Sequence, residues 1–124
     1  MWIRTFFSLA IAALVLQACV NNKRDQILPA CDATNVTYSG FVKQTLINNS
    51  CASTGCHDAG TASSGVILDN YDGVKNSIAG GRLMGAITHT PPFRFMPNLP
   101  GSPKLDTCTI AKIGAWVANG APNN

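Results

Sequence analysis

The chain contains no glutamate, so its acidic charge comes from six aspartates alone. Charged residues make up only 12% of the sequence, and the formal net charge is +3 at pH 7. A balance this close to neutral gives no reason to expect nucleic acid as a partner, or strong electrostatic attraction to a membrane. With 124 residues the chain can form one small domain. The core of such a domain is limited, so it gains stability from a covalent cross-link or a large apolar ligand.

The sequence also lacks the two sets of paired ligands that an ordinary zinc site uses. Its five cysteines include one closely spaced pair, Cys51 and Cys56, and neither a second such pair nor a His-x-x-x-His pattern accompanies it. Structural zinc is usually held by two pairs of ligands. A zinc half-site is therefore only an alternative for these two cysteines, and a disulfide between them is another.

A histidine directly follows the cysteine pair, in the stretch CASTGCH over residues 51–57. This order of groups is typical of covalent haem attachment, in which two thiols add to the haem vinyl groups and the next histidine ligates the iron. The gap between the cysteines is four residues here instead of the usual two. The Ser-Thr-Gly before the second cysteine can absorb the extra length as a turn, because glycine tolerates positive φ and short polar residues suit turns. We therefore predict a haem c site at Cys51, Cys56 and His57.

The first eighteen residues have the pattern of an export signal. Arg4 gives a positive start, and residues 6–16 form an almost wholly apolar run that is too short to cross a bilayer. The run ends in Leu-Gln-Ala before Cys19, which resembles the lipobox of bacterial lipoproteins. We expect residues 1–18 to be a lipoprotein signal peptide and Cys19 to carry lipid on its sulfur. The alternatives are an ordinary signal peptide cut elsewhere and a membrane-spanning anchor.

The mature protein is then exported and lipid-anchored to a bacterial membrane, facing the periplasm. Residues 19–30 are polar for most of their length and are interpreted as a tether. Val20 follows the lipidated cysteine, where an aspartate retains lipoproteins at the inner membrane in some bacteria. This favours the outer membrane.

Two cysteines, Cys31 and Cys108, remain after the lipid and haem assignments. Exported proteins fold in an oxidising compartment, where leftover thiols usually pair. We therefore expect a disulfide between them, and two separate buried thiols are the alternative.

Apolar residues at helical spacing predict a helix over about 37–49, with Thr37 as its N-cap. A second helix starts after Asn70 and stops at two glycines, and residues 82–87 suggest one further turn. A last helix opens at residues 105–107. Residues 58–65 are predicted to be neither helix nor strand.

Five prolines between residues 88 and 103 exclude regular structure there. Long loops in small domains are usually functional, and the candidates for a second axial ligand of the iron are Met84, His89 and Met96. Pro97 disfavours a helical conformation at Met96, so an extended strap can aim its sulfur across the haem face. We favour Met96. His89 remains an alternative ligand, and packing within the loop is an alternative role for Met96.

From residue 31 to residue 124 the order of these features resembles bacterial class I cytochrome c domains, particularly monohaem lipoproteins with a Cys-x4-Cys-His motif. The resemblance covers nearly all of the mature chain. The matching stretches are Cys31-Asp32, the helix before Cys51, Cys56-His57-Asp58, Asp69-Asn70-Tyr71-Asp72, Met96-Pro97, Ile113-Gly114-Ala115-Trp116 and the terminal Gly120-Ala121-Pro122-Asn123-Asn124.

The resemblance implies an all-α fold of about three to five helices around one covalently bound haem per chain. It also implies that His57 and Met96 ligate the iron. The implied function is one-electron transfer at the cell envelope, to and from redox partner proteins, by a protein that is not itself an enzyme. Two alternatives stay open. One is a haem subunit or domain of an envelope redox enzyme with a labile sixth ligand, and the other is a non-haem lipoprotein stapled by two disulfides.

Replacing Cys19 by serine tests the lipid anchor. Stable anchoring takes at least two acyl chains, so Cys19→Ser is expected to move the protein from the membrane fraction to the soluble fraction. Cell fractionation with intact-mass analysis measures this, and Asn22→Ser in the same tether should stay in the membrane fraction. A Cys19→Ser protein that stays in the membrane fraction without its signal peptide would contradict the lipobox interpretation.

Overall fold

The computed structural model describes residues 31–124 of the chain. The predicted signal peptide (1–18), the tether (19–30) and the lipid attachment at Cys19 lie outside these residues. Within residues 31–124 all regular secondary structure is helical, and this part of the chain forms no strand. The expected all-α fold class is confirmed at this level.

The first helical segment begins as a π-helical turn, Tyr38–Val42, and continues directly into an α-helix, α1, at Lys43–Asn48. Thr37 is the N-cap, as predicted: its backbone is extended, and its side-chain oxygen accepts a hydrogen bond of 3.1 Å from the Gly40 amide. The helix predicted over about 37–49 is confirmed in extent. Its first turn, however, is π-helical.

Two helices follow the next loop: α2, Tyr71–Ile78, and α3, Arg82–Thr88, joined by the 3-10 turn Ala79–Gly81. Asn70 caps α2 as predicted, because its side-chain oxygen accepts a hydrogen bond of 2.9 Å from the Gly73 amide. The two glycines of the turn have φ values of 65° and 76°. They end α2 where predicted and lead the chain straight into α3.

The structure differs from the sequence prediction in two short segments. Residues 82–87 were expected to form one turn, but α3 has seven residues. The loop over residues 58–65 was expected to be irregular, and it contains a 3-10 turn at Ser63–Gly65. Residues 82–87 include good helix formers, and Leu83 and Ile87 are buried in the core, which accounts for the longer helix. The loop over residues 58–65 consists mainly of small residues, for which local propensity favours no regular structure.

The last helix, α4, covers Thr107–Ala118. Asp106 is its N-cap and accepts a hydrogen bond of 2.9 Å from the Thr109 amide. This hydrogen bonding to Thr109 holds the pKa of the Asp106 carboxyl below its usual value, because it favours the charged form. The apolar residues Ile110, Ile113, Trp116 and Val117 recur at helical spacing, which predicts one core-facing side, and Ile113 and Trp116 are completely buried while Ile110 and Val117 are partly buried.

The core is a single cluster of buried apolar side chains contributed by all of these helices. Trp116 is at its aromatic centre: the Tyr38 ring stacks on it at 5.9 Å, and Tyr71 meets Tyr38 edge-on at 5.1 Å. Leu46 of α1 belongs to the same cluster, whereas its neighbour Ile47 is 50% exposed. The other buried members are Val42, Leu68, Val74, Leu83, Ile87, Ile113 and Ala121.

The C-terminal tail ties the first and last helical segments together. Asn124 accepts hydrogen bonds of 2.9 Å from the Ser39 amide, through its backbone oxygen, and from the Tyr38 amide, through its side-chain oxygen. The Trp116 indole N–H donates to the Pro122 carbonyl at 3.0 Å. The terminal residues named in the resemblance therefore have a structural role.

A disulfide joins Cys31 to Cys108, with the two Cα atoms 5.4 Å apart. The bond links the segment before the first helix to the first turn of α4. Within residues 31–124, no helix is both long enough and apolar enough to cross a membrane.

Removing this disulfide is expected to lower the free energy of unfolding. The two cysteines are 77 positions apart, and the chain-entropy model gives about 4 kcal/mol for a loop of that length. The double variant Cys31→Ser/Cys108→Ser should show this loss in denaturant unfolding. Thiol labelling of the unfolded but unreduced protein should leave both cysteines unlabelled, and labelling at these positions before reduction would contradict the pairing.

Candidate functional site

The loop carrying the Cys-x4-Cys-His motif begins at the C-terminal end of the first helix. The Cys51 amide donates to the Leu46 carbonyl at 2.9 Å, so the last turn of α1 holds the first cysteine directly. Ser50, just before it, has a φ of 57° and turns the chain out of the helix. The helix therefore delivers Cys51 to the site, as the sequence suggested.

The longer spacing between the two cysteines is absorbed by a turn inside the loop. The Cys56 amide donates to the Ser53 carbonyl at 3.0 Å, and the His57 amide donates to the Cys51 carbonyl at 3.0 Å. Gly55 has a φ of 87°, a conformation that side chains disfavour. These bonds bring the backbones of the first cysteine and the histidine into contact across the turn.

His57 is buried, with 9% of its surface exposed, and a second segment holds its ring. Its Nδ1 lies 3.2 Å from the carbonyl oxygen of Val66. A carbonyl can only accept, so Nδ1 carries the proton and the lone pair is on Nε2. The His57 carbonyl in turn accepts a hydrogen bond of 2.7 Å from the Leu68 amide. Metal-binding histidines commonly have this arrangement, with one nitrogen hydrogen-bonded and the other available as a ligand.

Cys51 and Cys56 are both free thiols and are both partly buried. Burial raises the pKa of the Cys51 thiol above its usual value, and the nearby Cys56 adds to the increase. Cys51 is therefore a neutral thiol at neutral pH. Neither cysteine takes part in the disulfide that was weighed as an alternative.

A cavity of about 440 Å³ lies beside this loop. That volume is within the usual range of about 300–1,000 Å³ for sites that bind small molecules and cofactors. Cys51, Cys56 and His57 line one side of it, and Met96 of the proline-rich segment also lines it. Much of the remaining wall is apolar and comprises Val66, Leu68, Leu83, Ala86, Ile87, Pro92, Phe93, Pro97 and Leu99.

Met96 is the one of the three candidate axial ligands that lines this cavity, and neither Met84 nor His89 belongs to its described wall. The Met96 amide donates to the carbonyl of Ala86 in α3 at 3.0 Å. Met84 packs partly buried against the hydrophobic core. His89 follows α3 as its C-cap, and its Nε2 lies 3.0 Å from the carbonyl oxygen of Met96.

The two phenylalanines near Met96 have different positions. Phe93 lines the cavity, and its ring lies so close to Gly85 of α3 that an added Cβ there would overlap it. Phe95 is 44% exposed and is not part of the described wall. Of the two rings that flank Met96 in the sequence, only Phe93 is therefore placed to exclude water from the cavity.

Two arginines also line the cavity, Arg82 and Arg94. The Arg82 guanidinium donates to the Ser64 carbonyl at 3.1 Å. Arg94 lies beside Asn98, whose side-chain oxygen accepts from Nη2 at 2.6 Å and Nε at 3.0 Å when its amide is oriented toward the guanidinium. Sequence reasoning did not identify Arg94 as a residue of the site, although it lies only two residues before Met96.

The part of the chain that the structure describes contains no cluster of three histidine, cysteine or carboxylate side chains that could hold a metal ion. Cys51, Cys56 and His57 are therefore not arranged as such a cluster in residues 31–124, which gives the zinc alternative no support.

Comparison of the chain with known protein families, with curated proteins and with solved structures finds no match.

Proposed function

We propose that this protein is a one-electron carrier that binds one haem covalently at the cell envelope. The observation that carries the proposal is the composition of the cavity wall. Two free thiols, a histidine whose Nδ1 is already hydrogen-bonded, and a methionine from a separate segment line one largely apolar cavity. Covalent haem attachment uses this set of groups.

The residues present fit the group in chemical type. Cys51 and Cys56 would each form a thioether by adding their S–H across a haem vinyl double bond, and the raised pKa of the Cys51 thiol suits this reaction because it keeps that S–H intact. His57 would ligate the iron through Nε2, because its Nδ1 proton is engaged by Val66. Met96 would supply its thioether sulfur as a second protein ligand of the iron.

When bound, the haem supplies an iron centre that cycles between the ferric and ferrous states. The residues of the chain would tune that centre. Leu68, Leu83 and Phe93 provide an apolar wall that keeps water away, and a histidine–methionine ligand pair raises the reduction potential relative to two imidazoles. If His57 and Met96 both ligated the iron, no position would be left for a substrate, which would suit an electron carrier better than an enzyme that must bind a substrate at the iron.

Arg82 and Arg94 give the cavity a positive charge that its apolar wall would not otherwise have. A guanidinium pairs well with a carboxylate, so these side chains are suited to the two propionates of a haem. Arg82 already donates to Ser64 and Arg94 to Asn98, and both contacts hold the charged groups beside the cavity.

The setting at the envelope rests on the N-terminal sequence. A lipid on Cys19 and a tether over residues 19–30 would hold the domain at the periplasmic face of a membrane, with the outer membrane favoured. The proteins that donate and accept the electron would then be redox proteins of the same compartment.

The intact mass of the exported protein tests haem attachment. We expect the mass of the mature chain plus one haem, and the haem should survive denaturing gel electrophoresis. Cys56→Ser should retain a single thioether through Cys51, whereas Cys51→Ser/Cys56→Ser should lose covalent haem altogether. Thr54→Ser, an exposed position between the two cysteines, is the matched control and should keep the full haem increment. A wild-type mass without that increment would overturn the proposed function and leave the lipoprotein stapled by disulfides.

Replacing Met96 by alanine tests the sixth ligand. Loss of the sulfur should lower the reduction potential and open the iron to cyanide or carbon monoxide. Potentiometric titration and ligand-binding spectra measure both effects. Met84→Ala is the matched control, because Met84 packs against the core and does not line the cavity. The iron of this variant should bind cyanide and carbon monoxide no more readily than that of the wild type. A wild-type protein that already binds carbon monoxide readily would favour the enzyme-subunit alternative.

A further inference from the structure

The backbone of Met96 is held from both sides by the end of α3. Its amide donates to the Ala86 carbonyl at 3.0 Å, and its carbonyl lies 3.0 Å from His89 Nε2. The carbonyl can only accept, so His89 Nε2 carries a proton and donates it. The N–H and the C=O of Met96 are thus both hydrogen-bonded to residues at the C-terminal end of α3.

The imidazole of His89 is itself fixed. The residue has a φ of 59°, in the left-handed region that histidine enters more readily than most side chains. Its ring stacks on Phe95 with the centroids 4.8 Å apart and the planes 2° from parallel. Because Phe95 directly precedes Met96, the stacked ring and the hydrogen bond hold two successive residues of the strap.

A third contact anchors the same segment to α3. The Phe93 ring lies against Gly85, where no larger residue would fit, and near Gly81 one turn earlier. The Phe93 amide donates to the Thr90 carbonyl at 3.2 Å. The bond to Thr90 lies within the strap over residues 89–96, and the strap packs against α3 through the Phe93 ring and the Met96 amide.

We propose that His89 is a positioning residue for Met96, holding its carbonyl so that the thioether stays at the cavity and on the iron. This rests on the proposed function. It also assigns His89 a role other than that of a competing ligand, since its Nε2 is occupied by Met96 and the residue is outside the described cavity wall.

The expected consequence is a change in how often the sulfur leaves the iron. One hydrogen bond of this kind changes an equilibrium by about fivefold. Without it, the open form of the ferric haem should be about five times more populated. The apparent affinity for cyanide, which binds the open form, should rise by the same factor.

The experiment uses the full-length ferric holoprotein and titrates it with cyanide, while following the weak far-red absorption band that requires a methionine sulfur on ferric iron. His89→Asn is the main variant: asparagine tolerates the left-handed backbone, but its amide is too short to reach the Met96 carbonyl. His89→Gln places an amide N–H near the position of Nε2 and should restore the wild-type affinity. Thr90→Ala, which removes a neighbouring hydroxyl contact to Thr88, is the loop control and should match the wild type.

The role is supported if His89→Asn binds cyanide more tightly and retains a weaker far-red band, and if His89→Gln returns to the wild-type affinity. If His89→Asn yields no folded protein, His89→Ala takes its place. If the variant lacking the hydrogen bond binds cyanide as tightly as the wild type does, the positioning role of His89 is wrong, and the proposed function is unaffected. If His89→Asn lost the six-coordinate spectrum completely while Met96→Ala kept the wild-type spectrum, His89 would be the iron ligand, and the proposed positioning role would be wrong. A wild type without covalent haem overturns the proposed function and this inference together.

Discussion

The hydrogen bond between His57 Nδ1 and the Val66 carbonyl is the interaction on which the rest of the site depends. It determines which nitrogen of the imidazole carries the proton, and it holds the ring with a segment separate from the motif loop. The bond from the Leu68 amide to the His57 carbonyl joins the same two segments. A short apolar stretch that showed no chemistry in the sequence therefore orients the residue with the clearest chemical role.

The site lies between two loops that each follow a helix. The motif loop leaves α1 through the bond to Leu46, and the strap leaves α3 through the bonds at Ala86 and His89. The aromatic cluster around Trp116 and the disulfide at α4 stabilise the frame that carries both loops. Each loop is hydrogen-bonded to a helix end at its point of attachment, and such bonds limit the positions that its side chains can take.

Much of the helical framework could be predicted because its signals are local. Thr37 and Asn70 cap helices where their side chains can bond the first free amides, and the apolar spacing around Ile113 and Trp116 marks the buried face of α4. The π-helical turn at the start of the first helix and the full length of α3 were missed. The π-helical turn has its Tyr38 amide bonded to the C-terminal tail, and α3 buries Leu83 and Ile87 in the core, so both involve contacts with distant parts of the chain.

The sequence by itself determined the identity and order of the chemical groups: two cysteines and a histidine after the first helix, a methionine before a proline, and two distant cysteines. Only the tertiary structure decided which of them share a cavity, because this depends on contacts between segments far apart in the chain. It placed Met96 in the cavity wall and excluded Met84, Phe95 and His89 from it. It also decided that His89 bonds to Met96. The spacing of residues in the sequence does not predict this contact, because the position of the imidazole depends on the left-handed backbone of His89 and on its stacking with Phe95.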